Sequence, residues 1–288
     1  MRIGLAGCRK VETWPVASSA DDPRPWERDD RGLHAALRAR GAAVETPAWD
    51  DPAVDWGAYD AVVPRATWDY HERRDAFLGW IDRVPRLINP PEILRWNTHK
   101  SYLRGLDVPQ PPTVWLTRGE EPDLGAIPWP VAFAKPAVGA TAAGTLVFRT
   151  DPDGLATARA HLAQWLPRVD VLVQPYVASV ETAGERSAIA IDGEITHWVR
   201  KIPVPGDYRV QDDHGATDVP HEPEPAERAL AAAALGALGQ RLAYARVDWL
   251  VGPTGPMLVE LELVEPCLFF RHGPSAAERL ADAILARV

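Results

Sequence analysis

Three carboxylates near the C-terminus carry the clearest chemical signal in this chain. From Tyr244 to Pro266 it reads YARVDWLVGPTGPMLVELELVEP, two alternating runs flanking Gly252 to Pro256, which predicts a β-hairpin. Side chains alternate along a strand, so Arg246, Asp248 and Leu250 share one face, as do Glu260 and Glu262 on the second run. A hairpin symmetric about Thr254 sets Asp248 opposite Glu260 and Arg246 opposite Glu262. Facing carboxylates repel unless a cation lies between them. An all-oxygen set suits a hard ion, Mg²⁺ or its substitute Mn²⁺. A plainer arrangement fits equally, with Arg246 paired to Glu262 and the other carboxylates facing solvent. The residues alone leave both open. A one-residue slip would break the pairing but leave Glu260 and Glu262 on one face.

A second signal is VAFAKPAVGATAAGTLVF, Val131 to Phe148, which reads as strand, Lys135, small-residue loop and strand. Gly139 and Gly144 bracket four residues, as in a P-loop, but that motif continues with Lys, Ser or Thr, and a helix. Thr145 and Leu146 follow here, so the P-loop reading is excluded. Such a loop can donate backbone N–H groups to phosphates, with Lys135 as a point charge. An ordinary flexible hairpin beside a solvated lysine is the alternative. There is no dinucleotide fingerprint, zinc signature or nucleophile elbow. His71, His99 and His197 lack any partner pattern and read as surface or structural residues, and Trp96 reads as packing.

The elements that position these residues fall into an alternating start and a more mixed remainder. Arg2 to Cys8, the region of Val44, Asp60 to Pro64 and Arg86 to Ile88 read as strands. Between them lie a helix carrying Leu33 and Leu37, capped by Asp29 or Asp30 and stopped at Gly41, and another over Asp75 to Val84. This alternation predicts a mainly parallel sheet over residues 1–97. Loops at strand ends of such sheets face a cleft, which makes Asp29, Asp30, Arg65, Trp68, Asp69 and Tyr70 candidate substrate contacts. Arg65 would hold a carboxylate and Asp69 an amine; helix capping and a surface ion pair are the alternatives. The chain turns helical from Asn89 to Leu106, and prolines 109, 111 and 112 mark a boundary. Strands follow at Val131 to Ala134, Thr145 to Arg149 and Val171 to Val173, with a helix over Asp153 to Leu166. Asp192-Gly193 predicts a hairpin turn within Ala188 to Ile202. A later helix carries Leu230, Ala234, Leu238 and Leu242, and another closes the chain from Ser275.

Composition narrows the class. The 288 residues are 46% hydrophobic and 25% charged, ordinary globular values. Lys and Arg total 31 against 40 Asp and Glu, a net charge of −9 that argues against a nucleic-acid surface. Cys8 and Cys267 form no CxxC pair and read as reduced thiols. Without a signal sequence or a membrane-length apolar run, the expected location is the cytoplasm.

Taken in order, WNTHKSYL, AFAKPAVGATAAG, VLVQPYV, GERSAIAIDGEITHWVRKIP, GDYRVQ, YARVDWL and VELELVEP resemble the ATP-grasp superfamily, in its glutathione-synthetase-like branch. The resemblance runs from about Asn97 to the C-terminus, and the preceding α/β unit fits that family's first domain. PRATWDYHERRDAFLGW, LRWNTHKSYL and VQPYVASVETAGERS further resemble the cyclo-ligases that close O-ureidoserine to cycloserine. This implies an α/β first domain (1–97), a central ATP-grasp lid (98–172) and a C-terminal ATP-grasp domain (173–288), α+β in character. It implies an ATP- and Mg²⁺-dependent carboxylate–nitrogen ligase working through an acyl phosphate. A peptide-forming amino-acid ligase and a non-catalytic ATP-binding module are the alternatives. The partners would be a small carboxylate and an amine-type substrate, with the protein a monomer or homo-oligomer such as a homodimer.

Carried over residue by residue, the resemblance gives Lys100 and Lys135 to the ATP α- and β-phosphates, and the loop of Gly139, Ala140, Thr141 and Gly144 to covering them. Gln174, Pro175, Tyr176 and Val177 would line the adenine pocket at a hinge, with Glu181 on the ribose. Asp248, Glu260 and Glu262 match the magnesium ligands, while Arg209, Lys201 and Arg246 would neutralise the γ-phosphate and the acyl phosphate. Three positions depart from the family pattern: Glu262 replaces a common Asn, Gln211 stands where Asn is frequent, and the phosphate loop is rich in alanine.

Overall fold

The computed structural model describes residues 1–9 and 25–288, with the side chains of 25–29 outside the description. Its first unit is a three-stranded parallel sheet, ordered β2 (Ala43–Glu45), β1 (Arg2–Gly7), β3 (Ala61–Ala66). Helix α1 (Pro25–Ala39) buries Leu33 and Leu37 on this sheet. Gly41 follows it at φ +83°, where a Cβ would be strained. The sequence reading expected Asp29 or Asp30 to cap this helix; it begins at Pro25 instead, so Asp30 lies within it, and the side chain of Asp29 lies outside the described residues. The strand expected at Arg86–Ile88 shrinks to a single parallel bridge between Val62 and Leu87. Helix α2 (Arg74–Arg83) sets Phe77 and Trp80 against Trp49, the rings meeting edge-on and stacked.

Helix α3 (Pro91–Asn97) and a 3₁₀ turn over Lys100–Gly105 lead into the second unit. This is an antiparallel sheet of β4 (Val114–Leu116), β7 (Val171–Pro175), β5 (Val131–Pro136) and β6 (Leu146–Arg149), backed by α4 (Pro152–Trp165). The third unit follows the short helix α5 (Ser179–Ala183). It is a five-stranded antiparallel sheet ordered β10 (Thr217–Pro220), β9 (Glu194–Ile202), β8 (Glu185–Ile191), β11 (Tyr244–Gly252), β12 (Gly255–Glu262). The β8–β9 turn uses Asp192 at φ +51° and Gly193 at φ +75°, the left-handed pair that a two-residue hairpin needs.

Helix α6 (Pro225–Gly236) starts in a capping box between Glu224 and Glu227 and ends at Gly236. Leu238 and Leu242, expected on its face, lie beyond its end but pack into the same core. The last helix, α7 (Pro274–Leu285), crosses back to α1. Gly32 sits where a Cβ would come within 3.2 Å of Ala277, so the two helices approach closely. Leu280 and Ile284 thereby join Ile3 and Leu5 in one core. Among the described residues no helix is long and apolar enough to cross a membrane.

Candidate active site

The hairpin β11–β12 sets up the carboxylate face by a route the sequence pattern does not show. Its turn is tight, with Gly252 paired to Gly255, and Trp249 opposite Leu258. Extended without interruption, that register would put Val259 opposite Asp248. A bulge between Asp248 and Trp249 shifts the pairing, so that Asp248 faces Glu260 and Arg246 faces Glu262. The expected pairs are therefore present, while the expected symmetry about Thr254 is not. The carbonyl of Val259 accepts from Lys135 Nζ at 2.9 Å, tying the lysine of β5 to the kink that aims Glu260.

Around this face the charges interlock. Lys100 Nζ lies 2.7 Å from Glu260 Oε1 and donates to the carbonyl of Gly139 at 3.1 Å. Arg246 donates to both oxygens of Asp248 at 2.9–3.0 Å and closes on Glu262 as well. Lys201 pairs with Glu185 and approaches Asp248 at 3.4 Å. Asp248 is 1% exposed, so none of its charge reaches solvent. The solvent-facing arrangement is thus ruled out for Asp248, while the Arg246–Glu262 pair exists.

Burial pulls against each ionised group, and the neighbours decide the outcome. Burial raises Asp248 and Glu260, but Arg246 with Lys201, and Lys100 with Lys135, hold them below the usual carboxylate range. Burial lowers Lys100, yet Glu260 and the nearby carboxylates keep it above the ordinary lysine value; Lys135 is pulled down despite Glu260. Glu262 goes the other way. Burial pushes it up to about 7 although Arg246 opposes, with Asp248 and Glu260 adding repulsion. Glu262 is thus the carboxylate of this face that its cations compensate least. A hard divalent cation fits that group and the all-oxygen donor set. As drawn together here, with each acid closed on a base, no three acidic, imidazole or thiol groups among the described residues converge on one point.

A cavity of about 490 Å³ runs over this face. One end is the hinge after β7, Gln174, Pro175, Tyr176 and Val177, where Gln174 donates to Thr113 at 2.9 Å. Phe133 and Tyr208 wall it, their rings edge-on at 5.6 Å. Gly139, Ala140 and Thr141 roof the middle beside Lys100 and Lys135, with Thr141 at φ +50°. Thr145 is hydrogen-bonded to Tyr208 at 2.9 Å, and His214 contacts the carbonyl of Thr141, so residues 208–214 hold this loop. Lys201, Arg209, Arg246, Glu260 and Glu262 form the floor. The far end is Trp68 and Asp69 from the first unit.

Five residues expected at the site do not line the cavity. Asp248 lies beneath the floor, held by Arg246. Gly144 turns away at φ +73° against the Trp165 ring. Glu181 is exposed on α5 and accepts a hydrogen bond from Tyr176. Arg65 and Asp30 close on each other at 2.9–3.0 Å with 2% and 7% of their side chains exposed, which makes them a buried structural pair and corrects the surface-pair alternative. Asp69 reaches the cavity but already accepts from Trp49 at 2.7 Å and Arg73 at 2.6 Å. Arg209 is likewise closed on Asp207. The structure adds Glu185, Glu265, Tyr208 and Arg271 to the lining; the first three lie in the motifs GERSAIAIDGEITHWVRKIP, VELELVEP and GDYRVQ, and Arg271 lies in none of them. Gln211 also lines it, with a buried Oε1 lacking a hydrogen-bond partner among the described residues.

Residues 4–89 match the family described as the D-cycloserine synthetase DcsG N-terminal domain. The chain is 33% identical to the cycloserine biosynthesis protein DcsG of Streptomyces lavendulae, covering 92% of this chain and 95% of that one. It belongs to the DcsG family. The crystal structure of D-cycloserine synthetase DcsG superposes with a TM-score of 0.85 at 29% identity, covering 100% of this chain and 99% of that one. The D-alanine–D-alanine ligase of Bacillus anthracis, solved with ATP, shares the fold at a TM-score of 0.66 and 17% identity, over 100% and 97% of the two chains. As a DcsG-family member the chain is an ATP-grasp enzyme, an ATP-dependent ligase that forms carbon–nitrogen bonds.

Proposed function

We propose that the chain closes a small amino-acid derivative of the O-ureidoserine type into a ring, activating its carboxylate with ATP and releasing ADP and phosphate. The observation that carries this is the continuous cavity from the hinge, across the lysines and carboxylates, to Trp68 and Asp69. The relatives named for cycloserine formation supply the substrate class.

In this reading the adenine lies at Gln174 to Val177 and the phosphates lie under Gly139 to Thr141, against Lys100 and Lys135. Glu260 and Glu262 would hold Mg²⁺, or Mn²⁺ in its place, with Asp248 joining them once released from Arg246. The metal supplies charge neutralisation at the phosphate oxygens. A carboxylate is a poor electrophile, and phosphorylation turns one of its oxygens into a leaving group that nitrogen then expels. The chain's own part is to position both reactants and to set Arg246, Lys201 and Arg209 where negative charge develops. Residues 98–172 would act as the lid that keeps water from the acyl phosphate. Arg209 must leave Asp207 to take part, which makes its loop a moving element.

The test is coupled ADP release with Mg²⁺ and O-ureidoserine, with products identified by mass. A ring from one substrate molecule supports the proposal, whereas an adduct of two molecules would indicate peptide ligation instead. No ADP release would refute the assigned reaction. ADP release unchanged in Lys135→Ala and Glu260→Ala would refute the assigned site.

A further inference from the structure

Glu265 ends the segment that carries Glu260 and Glu262, yet the reading above gives it no task. It lies three residues past β12 on the wall of the same cavity. Its surroundings set it apart from the other acids there. Lys100 and Arg246 influence it only from a distance, since Lys100 is closed on Glu260 and Arg246 on Asp248 and Glu262. Glu262 is near enough to repel it. Among the described residues no lysine, arginine or histidine forms an ion pair with it.

Two other charged groups at this end are already engaged. Asp69 accepts from Trp49 and Arg73, and Arg271 closes on Asp218. Glu265 is therefore a cavity carboxylate with which none of the described cations is paired. A half-buried carboxylate beside another acid is unfavourable until a positive charge arrives. The reacting end of a carboxylate substrate belongs near Arg246, and Glu265 lies within electrostatic reach of that guanidinium.

We propose that Glu265 anchors the ammonium group of the substrate, so that the site selects amino acids over the corresponding deamino acids. The inference rests on the ligase reading above and names the residue that enforces its substrate class. Glu265 is a positioning residue here: it holds the substrate by charge and takes no part in bond making.

The experiment compares O-ureidoserine with its deamino counterpart, 3-(ureidooxy)propionate, by steady-state ADP release in the wild type, Glu265→Gln and Glu265→Asp. A charge-assisted hydrogen bond is expected to give the wild type a preference of about 10- to 150-fold for the amino substrate in kcat/KM. Glu265→Gln should bring the two substrates to near parity by raising KM for the amino compound alone, with KM for ATP and the Mg²⁺ activation curve unchanged. Glu265→Asp should recover most of the preference, which a merely structural role would not predict. A preference that survives in Glu265→Gln overturns the inference and leaves the ligase reading intact. A change confined to Mg²⁺ activation overturns it in favour of a metal ligand. No ADP release from the wild type with either compound overturns the ligase reading itself, and the inference with it.

Discussion

Two regions of this molecule bury charge, and they do so differently. In the first unit, Arg65 and Asp30 form an ion pair between β3 and α1, buried away from solvent and outside the cavity lining. Beneath the cavity, Arg246, Lys201, Lys100 and Lys135 sit among Asp248, Glu185, Glu260, Glu262 and Glu265, and the acids exceed the bases. A buried ion pair holds two elements in place. An unbalanced, accessible group is arranged around a charge that has yet to arrive. The same residue types therefore serve stability in one place and ligand binding in the other, and the balance and access of charge tell them apart.

The sharpest way to break this comparison is to remove one partner from each region. Arg65→Ala takes the guanidinium away from the buried Asp30, and should lower the unfolding free energy by about 3–5 kcal/mol. Urea denaturation measures this, and turnover of the protein that remains folded should be near normal. A variant of normal stability with a raised KM would return Arg65 to the substrate site. Glu262→Gln should do the reverse, lowering kcat by about 10²–10³-fold while leaving the thermal midpoint unchanged or higher, because burial beside Asp248 and Glu260 already disfavours its charge. Loss of stability without loss of turnover would contradict the contrast.

A smaller effect is expected at the loop over the cavity. Gly144 holds φ +73°, and a Cβ there would come within 2.3 Å of the Trp165 ring. Gly144→Ala should strain the central unit by about 1–3 kcal/mol, seen as faster proteolysis between β5 and β6 with the first unit still protected. Equal sensitivity of both units would show that the loop is not a local element.

The smallest effect concerns pH. Burial pushes Glu265 up to about 8, with Glu262 adding to it. The folded state then binds more protons than the unfolded chain between about pH 4.5 and 8, so this group removes stability as pH rises through that window. Without ligand, Glu265→Gln should match the wild type near pH 4 and become progressively more stable than it towards pH 8. Thermal midpoints across that range check this, and parallel curves would mean that Glu265 is not held protonated.

Local pattern alone determined much of this protein. Alternation placed Asp248, Glu260 and Glu262 on one strand face, Asp192-Gly193 made its turn, and the strand–helix alternation of the first unit made a parallel sheet. These depend on periodicity and on φ preferences, which neighbouring residues settle. The order of motifs carried the family in the same way. Tertiary structure decided the rest. Only folding shows that the Val259 bulge, with its carbonyl on Lys135, restores the Asp248–Glu260 pairing that the tight turn would otherwise have shifted. Arg65 and Asp30 lie 35 residues apart, and nothing local says that they meet inside a core. Leu238 and Leu242 continue the helical spacing past the end of α6, because packing rewards apolar side chains whatever the backbone does. Glu265 and Arg271 follow the last strand without any periodic signal, and reach the cavity only because that loop passes over the first unit on its way to α7. Strand period and turn chemistry are written in adjacent residues; which charges end up paired, and which are left waiting for a ligand, depends on contacts that exist only once distant segments have packed together.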